Sequence, residues 1–179
     1  MKSVLAAISA IVFSVNSSSL EIVPNIHLSS DIVQTVEEDY ECAVIGDEII
    51  RIAKDDIEML AKVIWGEARG IKSTDEKAAV VWCILNRVDA GFASTIKGVV
   101  TAPYQFTGYR SSNPVTEEFY DLALDVLVRW YSEKAGMTDV GRVLPSNYLY
   151  FAGSGGHNYF RTSYRGGTRW NWSLPSPYV

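Results

Sequence analysis

From residue 55 onward the chain alternates polar and apolar positions in a helical rhythm. In "KDDIEMLAKVIWGEARG", Ile57, Leu60, Ala61, Ile64 and Ala68 recur at the spacing of one helix face. Asp55 with Glu58 suits a capped start, and Gly70 a stop. "STDEKAAVVWCILNRVDAG" opens on Ser73 and Glu76, an S-x-x-E capping box, and closes at Gly91. Nothing polar lies between Ala78 and Leu85, so this helix is expected to be central and buried. "STIKGVVTAPYQF" predicts a short helix and a turn at Pro103. "TEEFYDLALDVLVRWYSEKAG" predicts a third long helix, with Phe119, Leu122, Ala123, Val126, Leu127 and Trp130 on one stripe and Gly136 at its end. Then the rhythm changes. "NYLYFAG" reads as extended, Gly153, Gly155 and Gly156 as a loop, and the proline-bearing "TRWNWSLPSPYV" as non-helical. Strands and helices do not alternate as a parallel sheet requires. The expected fold class is mainly α, an α+β chain with a small β/loop region. One buried helix is surrounded by others, with glycine- and aromatic-rich loops near the C-terminus.

Upstream of residue 55 the pattern is different. Residues 1–19 read as a signal peptide: Lys2, an apolar run from Val4 to Val15, then small residues from Ser14 to Ser19. That run is too short to span a bilayer comfortably. A secreted protein with no stable membrane insertion after cleavage is expected. Residues 20–52 are acidic and weakly periodic, and read as a leader or linker with a short helix near Glu48–Lys54. Residues 53–179 form the domain.

Length and charge narrow the function. The 179 residues suffice for one domain with a real core. Net charge is −5 but uneven: Glu21 to Glu58 carries eleven acids, whereas after Asp139 there are no acids and four arginines, Arg142, Arg161, Arg165 and Arg169. Those arginines are either scattered surface charges or a basic aromatic face for an anionic polymer. The acidic balance and the lack of a recognition motif argue against nucleic acid. Two cysteines, Cys42 and Cys83, are too few for a stapled scaffold, and Cys83 reads as an inert core thiol. Nothing in the pattern points to an oligomeric state.

One acid stands out. At roughly 100° per residue, Glu67 lies about 80° from Ile57, on the shoulder of the buried stripe. It also sits on the last helical turn, where the macrodipole disfavours negative charge. Partial desolvation and dipole both favour a carboxyl that keeps its proton, as a glycosidase acid must. The plain alternative is an ion pair with Arg69, Arg87 or another arginine.

The ordered set "MLAKVIWGEARG", "KAAVVWCILNRV", "APYQF" and "YLYFAGSGGHNYF" resembles the SleB/CwlJ-type cell wall hydrolase family over roughly residues 55–165. The resemblance implies a lysozyme-like fold acting on peptidoglycan glycan strands, with Glu67 as catalytic acid/base. Some relatives are lytic transglycosylases. There one carboxylate protonates the glycosidic oxygen between N-acetylmuramic acid and N-acetylglucosamine and then takes the proton of the muramyl C6 hydroxyl. A hydrolase would ordinarily need a second carboxylate. Asp75, Glu76, Asp89, Glu117 and Glu118 all read as cap or helix-end residues, which favours the single-acid route. Tyr104, Gln105 and Phe106 on the turn after Pro103, and Tyr150 and His157 in the aromatic stretch, are candidate substrate contacts, with Phe106 equally readable as core. Asn86 reads as structural.

Other chemistries fit poorly. A zinc site needs more ligands than His27 and His157 supply, so neither metal nor cofactor is expected. A Cys83–His157 peptidase would need a thiolate in the most apolar helix. A hydrolytic muramidase on the same site and a non-catalytic peptidoglycan-binding module remain as alternatives.

Overall fold

A computed structural model describes residues 39–178. The expected signal peptide and the leader as far as residue 38 lie outside the described residues. Tyr40–Ile45 (β1) and Glu48–Ala53 (β2) pair antiparallel, Tyr40 opposite Ala53 and Ile45 opposite Glu48. Gly46, at φ 61°, lets the chain reverse in two residues. The expected linker with a short helix near Glu48–Lys54 is therefore a hairpin over this stretch. The reason is a two-residue period: Ala43, Ile45 and Ile52 are buried, whereas Val44 and Ile49 face out. Tyr120 ties the hairpin to the helical body by donating to Glu41 Oε1 at 3.0 Å.

Helix α1 (Lys54–Ala68) leaves β2 without a break. No side chain caps it, so the expected Asp55–Glu58 box does not form. Helix α2 (Thr74–Asp89) starts as expected, Ser73 Oγ accepting the Glu76 N–H at 3.2 Å. Every α2 residue from Glu76 to Arg87 is buried. Helix α3 (Ile96–Val100) is short. Helix α4 (Glu117–Lys134) is capped by Thr116 Oγ1. Helices α1, α3 and α4 all pack on α2, and α1 also lies along α4. The α4 stripe from Phe119 to Leu127 is in the core, while Trp130 is half-buried and donates from Nε1 to Asp89 Oδ2. Asn86 is structural: its Nδ2 donates to the carbonyls of Pro145 and Tyr148 at 2.9 and 3.0 Å.

Past α4 the chain forms a second hairpin, Tyr150–Ser154 (β3) with His157–Arg161 (β4), turning at Gly155 and Gly156, both at positive φ. The tail then returns along β4, Trp170 N–H donating to the Phe160 carbonyl, and Tyr178 Oη reaches Asp125. Of the four arginines after Asp139, Arg142 is spent internally. It pairs with Glu133, donates to Asn86 Oδ1 and covers the face of Trp82 at 4.0 Å. Among the described residues no helix is long and apolar enough to cross a membrane.

Candidate active site

The end of α1 meets the loop before α4 at a contact only glycine permits. A Cβ on Gly108 would stand 2.5 Å from the Gly66 carbonyl oxygen, far inside contact distance, and a Cβ on Gly66 would run into the Gly108 carbonyl. With neither present, the Gly108 N–H reaches Glu67 Oε1 at 2.7 Å. Asn113 secures the loop from the other side, donating from Nδ2 to the carbonyls of Lys62 and Gly108.

Glu67 is half-buried, and among the described residues no cation pairs with it. The two arginines expected as possible partners are engaged elsewhere. Arg69 donates to the Trp65 carbonyl, and Arg87 to the Leu149 carbonyl and Gln105. Glu67 also lines a cleft of about 460 Å³, within the range of ligand sites. One wall is the chain from Gly66 to Ile71, the other the β3–β4 turn from Gly153 to Asn158.

His157 lines that second wall with its side chain 60 % exposed. Its Nδ1 lies 2.8 Å from Oε1 of Glu76, which is buried, and the Asn158 N–H donates to Oε2 of the same carboxylate at 3.0 Å. Asn158 Nδ2 in turn donates to the backbone carbonyl of Glu67 at 3.2 Å, satisfying one of the free C-terminal carbonyls of α1. Sequence reading missed Glu76, because Ser73-x-x-Glu76 explains the residue as half of a capping box. Its side chain turns away from Ser73 and holds the hairpin.

The remaining candidates gather around Arg87, at the other end of α2. Its guanidinium donates to Gln105 Oε1 at 2.8 Å and lies over the rings of Phe106, Tyr150 and Phe92. Phe106 is buried and packs against Phe151 in the core. Gln105 and Tyr150 are tied into the same cluster and do not line the Glu67 cleft. Tyr104 is 96 % exposed and held at φ 62°, a conformation rare for a bulky side chain.

The same geometry removes the thiol alternative. Cys83 is buried in α2, burial pushes its thiol up to about 12, and His157 is engaged with Glu76. Both cysteines are free. Among the described residues no cluster of three or more His, Cys, Asp or Glu side chains stands at metal-binding spacing.

A buried helix capped at Ser73 and ending in "LNRV", the Gln105–Phe106 turn it holds through Arg87, and α4 form one continuous block. Residues 72–144 match the cell wall hydrolase family. The matched segment holds α2, α3, α4 and the Tyr104–Phe106 turn. Glu67 and His157 flank it on either side in sequence and face the same cleft. No curated protein and no solved structure matches this chain.

Proposed function

We propose that this protein cleaves the glycan strand of peptidoglycan between N-acetylmuramic acid and N-acetylglucosamine, as a secreted lytic transglycosylase of SleB/CwlJ type on a lysozyme-like fold. Glu67 is its acid and base. The observation that carries this reading is the setting of Glu67. Glu67 is half-buried at a helix end, has no cation partner among the described residues, accepts one backbone N–H on its carboxyl and lines a cleft large enough for a sugar. The cell wall hydrolase match beside it supplies the substrate class and implies action outside the cytoplasm.

The chemistry follows from the grip. An N–H can only donate, so Oε1 remains an acceptor in both protonation states and the transferable proton belongs on Oε2. Glu67 gives that proton to the glycosidic oxygen as the C1–O bond breaks. The carboxylate then accepts the C6 hydroxyl proton while O6 closes onto C1, leaving a 1,6-anhydro end. Among the described cleft-lining residues Glu67 is the one carboxylate, which favours this single-acid route over a two-carboxylate hydrolase.

Glu67→Gln keeps the shape and removes the transferable proton. The expected result is loss of peptidoglycan clearance by about two orders of magnitude or more. Mass analysis of wild-type products is expected to find ends lighter by one water than reducing ends. Equal clearance by Glu67→Gln and wild type would shift catalysis elsewhere, and no clearance by either would leave a binding module.

A further inference from the structure

Glu76 and His157 make a second proton-handling pair, of which His157 lines the same cleft. Ionised Glu76 can only accept, so the His157 Nδ1 beside it carries the hydrogen. In the neutral ring that fixes the tautomer and leaves Nε2, on the far side of the ring, with a free lone pair. The pair is tied to the end of α1: Glu76 also accepts the Asn158 N–H, and Asn158 Nδ2 donates to the Glu67 carbonyl. A buried carboxylate behind an exposed imidazole is the arrangement that stabilises an imidazolium when the outer nitrogen takes a proton.

Resting on the glycan-cleaving reading above, we propose that the protein has a second outcome in the same cleft, hydrolysis, with His157 as the base for water and Glu76 as its positioning residue. Glu67 protonates the glycosidic oxygen and the C1–O bond breaks. A water oxygen bonds to C1, and the water proton passes to His157 Nε2, with the imidazolium charge balanced by Glu76. Solvent then takes the proton from Nε2 and returns one to Glu67. The product is a reducing end in place of the anhydro end. The role needs no second carboxylate in the cleft, because the imidazole takes its place.

Digestion of purified peptidoglycan in heavy-oxygen water separates the two outcomes, since hydrolysis places the label at C1 and ring closure does not. Wild type is expected to give both anhydro ends and labelled reducing ends. In His157→Ala the ratio of labelled to anhydro ends is expected to fall at least tenfold, and added imidazole to recover part of it. Glu76→Gln, which keeps an acceptor but not the charge, is expected to lower the ratio several-fold. His157→Gln serves if His157→Ala does not fold. An unlabelled wild-type product, or a ratio unchanged within twofold in both His157→Ala and Glu76→Gln, overturns the proposal. Labelled ends without anhydro ends would refute the transglycosylase reading alone, and labelling lost in His157→Ala and restored by imidazole would then still support the base. No cleavage by wild type refutes both.

Discussion

Gly108→Ala tests the contact on which the site depends. In a loop at an ordinary backbone angle, replacing glycine by alanine should stabilise by about 0.4–1 kcal/mol, because the unfolded chain has fewer conformations to lose. Gly108 is not at positive φ, so that gain is available. The obstruction is steric. The new Cβ would lie 2.5 Å from the Gly66 oxygen, 2.7 Å from its carbon and 3.0 Å from Glu67 Oε1, where ordinary contact begins at 3.4 Å. The loop must retreat by about 0.9 Å, and its neighbour is helix backbone that cannot give. The 2.7 Å bond to Glu67 then stretches to a length at which it is no longer a hydrogen bond. Leaving the Gly108 N–H unsatisfied costs about 1–3 kcal/mol, so the net effect is destabilisation by roughly 1–2 kcal/mol. A carboxyl displaced by about 1 Å is expected to cost about a hundredfold in rate. Gly66→Ala approaches from the helix side. Propensity alone favours alanine there by about 1 kcal/mol, yet the same loss is expected. Turbidity clearance of peptidoglycan with thermal unfolding decides the matter. Either variant with wild-type activity and a raised Tm would show that the glycine pair does not hold Glu67.

Alkaline pH is expected to destabilise the fold through Cys83. Its thiol is raised to about 12 by burial, so stability is complete below the thiol's ordinary value near 9 and falls as pH rises through 12. Cys83→Ala should flatten the decline measured by denaturant unfolding between pH 9 and 11. Under native conditions a thiol reagent should modify the half-buried Cys42 and spare Cys83 until the protein unfolds, which mass spectrometry of the labelled chain reads directly. Leu85→Ala, at a fully buried position in α2, should cost about 2–5 kcal/mol by denaturant titration. Tyr104→Gly should relieve up to about 1 kcal/mol of left-handed strain. If the exposed ring contacts glycan, it should also raise KM severalfold for polymeric substrate.

The three long helices were legible because their signal is local: an apolar residue every three or four positions and a glycine behind, with a serine or threonine in front of α2 and α4. The place of Glu67 at a helix end followed from the same signal. The first hairpin was not legible, because Glu41 and Glu48 fall on the same face as the buried Ala43, Ile45 and Ile52 and interrupt a two-residue period only six residues long on each strand. Glu76 shows a different limit. Its local context is a complete explanation, a capping box, while its side chain serves partners 81 and 82 residues away. The aromatic loop residues show a third limit. A ring after Pro103 suits a sugar platform or a core equally, and only Arg87 and Phe151 decide that Phe106 is core.

Helix α2 grips the second hairpin twice, Glu76 near the turn and Arg87 near the open end through the Leu149 carbonyl and the Tyr150 ring. A two-stranded ribbon pinned at both ends to a buried helix cannot swing as a jaw. The gauge of the cleft is therefore set when the chain folds and not when substrate arrives, so binding spends little on ordering the wall and discriminates by fit. Amides of β3 and β4 should then exchange with solvent only as fast as the whole domain opens.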